Sequence, residues 1–331
     1  MHWFWLFLGT LILMASLVTL ILVSLFTMTK QNILQIHEPL EALQPKIGLV
    51  VKTRQPLDFY NWLRYYLEIL GLDMIFIGIE NTPHLAVSLS DWAFQMGHDP
   101  RIQILEDLED IDNENTYEHQ MIRQNSLVQK AIHEAREKKI QYLLHLDDDE
   151  LLVVSKKEDY SLHQWVKTNS LRLASVADIH FNNAEAIFNT PSSQKKEICF
   201  LEEPLFYHGC WESSCRSYAN GKSMGNLAFP RLSSHGPHYF QGGPQWQVPP
   251  SEIMVLHFDS CSLEKWRDKF KNLANISKDV FQRIPFSFYR ESIQKVGDPS
   301  ISPENLQKFY DAHVGKKHEK SFLLEERGFR L

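Results

Sequence analysis

Four consecutive acidic residues, Asp147 to Glu150, separate two apolar segments in the sequence YLLHLDDDELLVV of residues 142–154. Both apolar segments are predicted to be buried β-strands. In an extended chain the side chains of Asp147 and Asp149 point to one side and that of Asp148 to the other. Carboxylates this close repel each other unless a bound cation offsets their charge. The run therefore predicts a site for Mg²⁺ or Mn²⁺, which prefer oxygen ligands, and a solvated acidic turn is the alternative.

Apolar strands and amphipathic helices alternate over the first half of the chain. Predicted strands lie in KIGLVVKTR, DMIFIGIEN, RIQILED and YLLHL, and predicted helices lie in DFYNWLRYYLEILGL and in residues 120–139. This order is typical of a mostly parallel sheet covered by helices on both faces, which binds its ligands beyond the carboxyl ends of the strands. We therefore expect one group of polar residues to meet at one edge of the sheet: Lys52, Thr53, Arg54, Glu80, Asn81 and residues 147–150.

The second half of the chain is less regular. IMVLHFDS is a predicted strand with His257 before its end, and SLEKWRDKFKNLANI is a predicted amphipathic helix. Residues 218–250 are rich in glycine and proline, and we expect a long loop that carries His235 and His238. Loops of this length inside a compact domain are usually functional. The aromatic residues of the first predicted helix are interpreted as core residues: Trp62, Tyr65 and Tyr66.

The composition is that of an ordinary globular protein, with 44% hydrophobic residues and a formal net charge of −7. No basic stripe is present, which argues against a nucleic-acid partner. The four cysteines, Cys199, Cys210, Cys215 and Cys261, could form two disulfides in three possible pairings or be free buried thiols, and the short CWESSC loop is compatible with a Cys210–Cys215 bond. A zinc site that includes His208 is the alternative, although the spacing common in structural zinc sites is absent.

The first charged residue of the chain is Lys30, and residues 3–26 are predominantly apolar. A helix of about 20 apolar residues crosses a bilayer. We therefore predict an uncleaved transmembrane signal anchor at residues 1–29, followed by a stem at 30–45. The positive charges that follow the span would keep the rest of the chain in the cytosol. A glycosylation acceptor at Asn275 and the four cysteines argue instead for a lumenal domain.

Three upstream segments accompany the acidic run HLDDDELL: the strand IGLVVKTR, the helix NWLRYYLEILGLD and the strand MIFIGIEN. With YANGKSMGN and SSHGPHYF downstream, the chain resembles the nucleotide-sugar glycosyltransferases of the GT-A fold, close to their family-two-like and DUF23-like (family 92-like) members. The resemblance covers residues 47–260. It implies an α/β fold with a Rossmann-like, mostly parallel central sheet flanked by helices. The GT-A domain would span 46–331, with a nucleotide-sugar half at 46–155, an acceptor half at 156–270 and a helical part at 271–331.

The resemblance also implies roles for individual residues. Contacts to the nucleotide sugar are expected from Thr53, Arg54, Glu80, Asp147, Asp148 and Lys222. Ligands of Mn²⁺ (or Mg²⁺) are expected among Asp147, Asp149, His257 and His235. The general base that activates the acceptor hydroxyl is expected to be Glu150 or Glu212. The chain departs from the family at KTRQP, where the first strand usually ends in Asn-Glu, and at IENTP, where the second usually ends in Asp-Asn.

These observations predict a single-pass type II membrane protein of the Golgi with a lumenal catalytic domain. Its expected activity is metal-dependent transfer of a sugar, with inversion, from a UDP-sugar donor to a glycan or glycoconjugate acceptor. A catalytically degenerate glycosyltransferase-like binding protein is the first alternative, because of the departures at KTRQP and IENTP. A metal-dependent phosphate hydrolase is the second, but the sequence offers no second acidic or histidine-rich cluster at a matching strand end.

Overall fold

The computed structural model of the protein describes residues 44–54, 56, 58–80, 82–95, 99–105, 117–187, 206–212, 215–260, 262–314 and 321–331. The predicted anchor at 1–29 and most of the predicted stem lie outside these residues, as do Asn81, Cys199 and Cys261. No helix within the described ranges has the length and apolar character needed to cross a membrane. Residues 45–331 form one compact unit.

The described strands and helices follow the chain in this order. The strands are β1 (Ile47–Thr53), β2 (Met74–Ile79), β3 (Ile102–Ile104), β4 (Tyr142–Asp147), β5 (Glu150–Val154), β6 (Asp178–Ile187), β7 (Phe206–Gly209), β8 (Lys222–Asn226), β9 (Ser233–His235), β10 (Tyr239–Gln241), β11 (Gln245–Gln247), β12 (Ile253–His257) and β13 (Phe322–Leu323). The helices are α1 (Phe59–Arg64), α2 (Pro83–Gln95), α3 (Tyr117–Glu137), α4 (Leu162–Thr168), α5 (Ser170–Leu173), α6 (Leu263–Leu273), α7 (Lys278–Arg283), α8 (Ser287–Gly297) and α9 (Pro303–His313).

The four predicted strands of the first half form the parallel side of the central sheet, in the order β3-β2-β1-β4. β8 pairs antiparallel with β4 on one side and with the first half of β6 on the other. β7 pairs antiparallel with the second half of β6 and carries β13 on its outer edge. The mixed α/β fold, with a mostly parallel Rossmann-like sheet, is thus as expected. The antiparallel strand β8 lies inside the segment predicted to be a loop, which corrects that prediction.

The alternation of side chains along β1 explains why helices cover both faces of the sheet. Leu49 and Val51 belong to the same core cluster as Trp62 of α1. Val50 points to the opposite face and packs in a second core cluster with Leu127 of α3. Because successive strand residues face opposite sides, a strand that is apolar at every position must be buried on both faces.

Three aromatic side chains anchor the segment that follows the acidic run. The indole of Trp62 and the hydroxyl of Tyr66 both donate to the carbonyl of Glu150, at 2.9 and 3.0 Å. The hydroxyl of Tyr65, which begins a π-helical turn (Tyr65–Ile69) directly after α1, donates to the carbonyl of Leu152 at 2.8 Å. These contacts confirm the interpretation of the three aromatic residues as core residues, and they fix the position of β5.

Strand β12 brings a distant part of the chain to the same place. It runs parallel to the second half of β6 and antiparallel to β5, with His257 opposite Glu150. The backbone N–H of Phe258 donates to the carbonyl of Asp149 at 2.8 Å. The end of β12 is therefore held beside the acidic run.

A disulfide closes the short loop after β7. Cys210 and Cys215 are bonded, with their Cα atoms 5.4 Å apart, which is the pairing that the short CWESSC loop allows. This pairing rules out the alternative in which both cysteines bind zinc together with His208. The loop leads directly into Ser217, which contacts His257, and Tyr218, which lines the cleft described below.

Candidate active site

A cleft of about 490 Å³ opens at the carboxyl ends of β1, β2, β4 and β12. Residues of α6, together with Phe286 and Tyr289 of α8 and its N-terminal cap, also line it. Parallel strands end at the same edge of a sheet, so the polar residues that follow β1, β2 and β4 meet here. Ionisable and polar residues dominate the lining, which includes Lys52, Thr53, Arg54, Glu80, Arg123, Gln124, Asp147, Asp148, Asp149, Tyr218, His238, His257, Asp259, Lys265, Asp268, Lys269 and Tyr289.

The acidic run is not one extended segment. Asp147 ends β4, Asp148 and Asp149 form a turn, and Glu150 begins β5. The expectation that Asp147 and Asp149 share one side of a strand is therefore wrong, because the chain turns between them. Each of the four carboxylates instead has its own set of partners.

Asp147 is bound by side chains from two other elements. Lys222 Nζ of β8 lies 2.5 Å from Oδ2, and Gln124 Nε2 of α3 donates to Oδ1 at 2.8 Å. Burial would raise the pKa of Asp147, but the ammonium of Lys222 outweighs this effect and holds that pKa well below its usual range. Asp147 is thus a carboxylate whose charge is already paired within the protein.

Asp148 is tied to the end of β1. The hydroxyl of Thr53, which is buried, donates to Oδ2 of Asp148 at 2.6 Å. Burial and the neighbouring charge of Asp149 raise the pKa of Asp148 to about 7. The hydrogen bond links β1 to the turn after β4 across the floor of the cleft.

Asp149, His257 and Asp259 are a group of side chains that could hold a metal ion. One ligand atom from each lies within 4.8 Å of the others, and Nε2 of His257 is 3.4 Å from Oδ2 of Asp149. The hydroxyl of Ser217 lies 3.0 Å from Nδ1 of the same ring, so Nε2 is the nitrogen left to face the carboxylates. Carboxylate oxygens suit Mg²⁺ and Mn²⁺, and the added imidazole favours a transition metal. The three residues therefore fit the predicted Mn²⁺.

Charged side chains within and beside this group compensate one another. Burial would lower the pKa of His257, but Asp149 and Asp259 outweigh burial and raise it to about 9. Burial would likewise raise the pKa of Asp259, but Lys269 and His257 hold it at about 2. A metal ligand must be an unprotonated imidazole, so a cation that bound here would displace the proton of His257.

Glu150 lies behind the cleft. Its side chain is completely buried, and its carboxylate accepts the backbone N–H of Asp147 at 2.8 Å and a hydrogen bond from the hydroxyl of Tyr218. Lys222 Nζ is 3.4 Å away, so one buried ammonium serves both Glu150 and Asp147. Burial raises the pKa of Glu150 to about 7.

Glu80, at the exit of β2, is held between two cations. Lys52 Nζ lies 2.5 Å from one carboxylate oxygen and Arg123 Nη2 lies 2.5 Å from the other. Burial would raise the pKa of Glu80, but hydrogen bonds and charge from Lys52 and Arg123 lower it. Arg54 lies nearby, exposed on the cleft lining. This end of the cleft therefore carries more positive than negative charge.

The structure brings most of the predicted site residues together. Those that line the cleft are Thr53, Arg54, Glu80, Asp147, Asp148, Asp149 and His257. Lys222 and Glu150 contact this lining from behind. The two remaining predicted residues also lie outside the lining and are exposed, Glu212 in the turn after β7 and His235 at the end of β9. Asp147, which was predicted to be a metal ligand, is instead in an ion pair with Lys222. The second carboxylate beside His257 is that of Asp259.

Sequence reasoning missed several residues of the site. Asp259 follows His257 at the same two-residue spacing that separates Asp147 from Asp149, and this repeated spacing at a strand end could have identified it. Arg123, Tyr218 and Lys269 carried no comparable signal, because each reaches the cleft from an element distant in sequence.

Comparisons with known proteins show a similarity in sequence to a plant protein. No protein-family model matches the chain. Among solved structures, a 4-diphosphocytidyl-2C-methyl-D-erythritol synthase from Anaerococcus prevotii aligns over 77% of this chain and 95% of that chain, but with 9% identity and a TM-score of 0.26, which does not establish a shared fold. An alignment of 318 residues with a protein of Arabidopsis thaliana covers 82% of this chain and 66% of that relative's length. At 24% identity, the chain is similar to this plant protein, which is named glycosyltransferase-like.

Proposed function

We propose that the protein is a glycosyltransferase that moves a sugar from a nucleotide-sugar donor to a glycan or glycoconjugate acceptor. The similarity to a glycosyltransferase-like plant protein supports this class of activity. The observation that carries the proposal is the group Asp149, His257 and Asp259, which lies in a cleft at the carboxyl ends of the strands. Sheets of this kind bind nucleotides in that position.

The residues around the proposed metal site would prepare it for a diphosphate. Asp149, His257 and Asp259 would hold Mn²⁺ or Mg²⁺, which when bound acts as a Lewis acid on the departing nucleotide diphosphate. Thr53 fixes Asp148 within the turn and Lys222 fixes Asp147 just before it, so the site has little freedom to rearrange. Groups that are held in place before the ligand arrives stabilise the transition state most effectively.

The nucleotide would lie toward β1 and β2. Thr53, Arg54 and Glu80 end these strands, and Arg123 and Lys52 flank Glu80. We propose a UDP-sugar as donor on the strength of the sequence resemblance. Hydrogen-bond donors from Arg54 and Arg123 would then face the nucleotide.

The acceptor hydroxyl needs a base that can reach it. Glu150 is completely buried and bound by three groups, and Glu212 lies outside the cleft lining. Asp268 is exposed on the α6 wall of the cleft and has no ion-pair partner within the described part of the chain. We propose that Asp268 accepts the proton of the acceptor hydroxyl during transfer.

We further propose that the protein is anchored as a single-pass type II membrane protein of the Golgi. The uncharged segment at residues 3–26 supports an anchor. The disulfide between Cys210 and Cys215 supports an oxidising, lumenal compartment.

A non-catalytic binding protein is the second candidate, and Glu80 favours it. Both of its carboxylate oxygens are occupied by Lys52 and Arg123, so it offers less to a nucleotide than a free carboxylate would. Such a protein would show neither Mn²⁺-dependent binding of UDP nor release of nucleotide from a sugar donor.

The test is a screen of the purified full-length chain with MnCl₂ and a panel of nucleotide sugars, in which the released nucleotide is measured. Release that requires Mn²⁺ and disappears in Asp149→Asn supports the proposed activity. Asp159→Asn is the matched control, because Asp159 is exposed, lies outside the cleft lining and has a positive φ of 51° that asparagine tolerates. Full release by Asp149→Asn would remove the metal site from the mechanism.

A further inference from the structure

Lys269 places a positive charge inside the group of carboxylates that the proposed function assigns to a metal ion. Its Nζ lies 2.5 Å from Oδ1 of Asp259 and 2.7 Å from the hydroxyl of Tyr289. The Asp259 side chain is 2% exposed and the Lys269 side chain 34% exposed, so the ion pair lies at the buried end of the lysine. One oxygen of Asp259 is therefore already bound by a cation before any metal arrives.

The packing of α6 holds this lysine in place. The residues of α6 that line the cleft lie on one helical face: Lys265, Asp268, Lys269, Asn272 and Leu273. Trp266 and Phe270 of the same helix are buried in the core. The ring of Tyr289 lies under the ammonium of Lys269, with 4.9 Å between Nζ and the ring centroid. Lys269 is thus a fixed charge and not a freely moving surface lysine.

The formal charges of the proposed metal ligands and of Lys269, the cation in contact with them, can be counted. Asp149 and Asp259 contribute two negative charges, and Lys269 contributes one positive charge. The neighbouring Asp147 adds little, since Lys222 pairs with it. With His257 unprotonated, a bare divalent cation would leave the group with an excess of one positive charge. Without Lys269 the same cation would be neutralised by the two carboxylates.

We propose that Lys269 makes the site bind a divalent cation weakly by itself and tightly only together with a nucleotide diphosphate. This inference rests on the proposed function and adds that the cation and the nucleotide diphosphate bind together. The excess positive charge disfavours the bare cation and attracts the diphosphate, so each ligand raises the affinity for the other by the same factor. Lys269 acts through Asp259 and through charge, and it is a positioning residue.

The test compares wild type with Lys269→Met and Lys269→Gln, using the purified full-length chain. Binding of MnCl₂ alone is measured from the loss of the electron paramagnetic resonance signal of free Mn²⁺, and binding of UDP with and without MnCl₂ is measured by calorimetry. In wild type we expect UDP to raise the affinity for Mn²⁺ by about tenfold or more. In Lys269→Met we expect about tenfold tighter binding of Mn²⁺ alone and a coupling factor that falls toward one.

Lys269→Gln keeps a hydrogen-bond donor beside Asp259 and Tyr289 but removes the charge. It replaces Lys269→Met in the comparison if a thermal unfolding scan shows that the methionine variant is not folded. Lys271→Met removes the same charge from an exposed position of α6 outside the cleft and should behave like wild type. Weaker or unchanged binding of bare Mn²⁺ by both Lys269 variants, with wild type still coupling Mn²⁺ to UDP, overturns the inference alone. A wild-type chain that binds Mn²⁺ in neither condition overturns the proposed function as well.

Discussion

Lys222 and Asp147 form an ion pair with 2.5 Å between Nζ and Oδ2, across two adjacent antiparallel strands of the central sheet. The side chain of Lys222 is completely buried, and its Nζ is also 3.4 Å from the equally buried carboxylate of Glu150. Two carboxylates of the acidic run thus depend on one lysine that lies 75 residues away from Asp147 in sequence. The acidic run is held in place from behind, independently of any metal in the cleft.

Substitution of Lys222 by methionine should destabilise the protein strongly. Two buried or half-buried carboxylates would lose their cation, and breaking one partner of a buried ion pair costs about 3–5 kcal/mol. The free energy of unfolding, measured by urea denaturation, should fall by that amount. Adding Glu150→Gln to the variant should recover part of the loss, because the uncompensated charge of Glu150 is then removed.

Lys271→Met is the control for this prediction, since it removes an exposed lysine. Surface substitutions of this kind change stability by about 0.5 kcal/mol or less. A loss below about 1 kcal/mol for Lys222→Met would show that water or rearranged side chains replace the buried cation.

The parallel side of the sheet could be predicted from sequence because its strands are apolar at nearly every position. β1, β2 and β4 are short runs of mostly apolar residues followed by polar ones, and this pattern locates both the strands and the edge of the sheet at which the cleft opens. The position of Asp148 and Asp149 at this edge could be predicted by the same reasoning. The turn between them does not, because an acidic run at a strand end is compatible with an extended chain or a turn.

The antiparallel strand β8 and the cations of the cleft could not be predicted in the same way. β8 has the sequence KSMGN, which is too polar and too glycine-rich to resemble a buried strand, yet all five residues are buried between β4 and β6. Lys222 is tolerated there only because Asp147 and Glu150 offset its charge, and that pairing is a long-range contact. Residues whose role depends on partners distant in sequence have no local pattern to identify them.

Arg123 should contribute to nucleotide binding under the proposed function. Its Nη2 is 2.5 Å from Glu80, while its Nε is buried and has no hydrogen-bond partner in the described part of the chain. Arg123→Met should weaken the binding of UDP about tenfold, since a hydrogen bond to a charged group contributes about 1.5–3 kcal/mol. Calorimetry with UDP in the presence of MnCl₂ measures this effect.

Two further variants make the Arg123 prediction sharper. Arg123→Lys keeps the charge but loses the planar array of donors, so it should recover only part of the affinity. Lys138→Met, an exposed residue just after α3, should bind UDP like wild type. Equal affinities for UDP in wild type and Arg123→Met would show that Arg123 only positions Glu80 and does not contribute to UDP binding.

Asp178 should make stability depend on pH. This carboxyl at the start of β6 is 2% exposed, and its Oδ1 has no hydrogen-bond partner among the described residues. Burial raises the pKa of Asp178 to about 6, compared with about 3.9 in an unfolded chain. The folded pKa is the higher one, so stability is lost as the pH rises from about 4 to about 6, by about 3 kcal/mol in total.

Asp178→Asn removes this titration. The free energy of unfolding of the variant, relative to wild type, should increase by about 3 kcal/mol between pH 4 and pH 7.5 when both are measured by urea denaturation. Ile179→Val is the control at the next position of β6, because it costs about 1 kcal/mol of core packing at every pH. If the difference in free energy of unfolding between Asp178→Asn and wild type stays constant with pH, burial does not raise the pKa of Asp178.

Asn275 tests the proposed lumenal location. It is exposed in the turn between α6 and α7, where Asn275, Ile276 and Ser277 form a glycosylation acceptor sequence. The full-length chain expressed in a eukaryotic secretory host should therefore gain electrophoretic mobility after treatment with an N-glycosidase, and Asn275→Gln should abolish the change.

The hydroxyl of Ser277 also accepts the backbone N–H of Val280 as the N-cap of α7, so Ser277→Ala would remove both the acceptor sequence and about 1 kcal/mol of helix stability. Ser277→Thr preserves both functions and should be glycosylated like wild type, whereas a wild-type chain that carries no glycan in such a host would argue against exposure of this domain to the lumen.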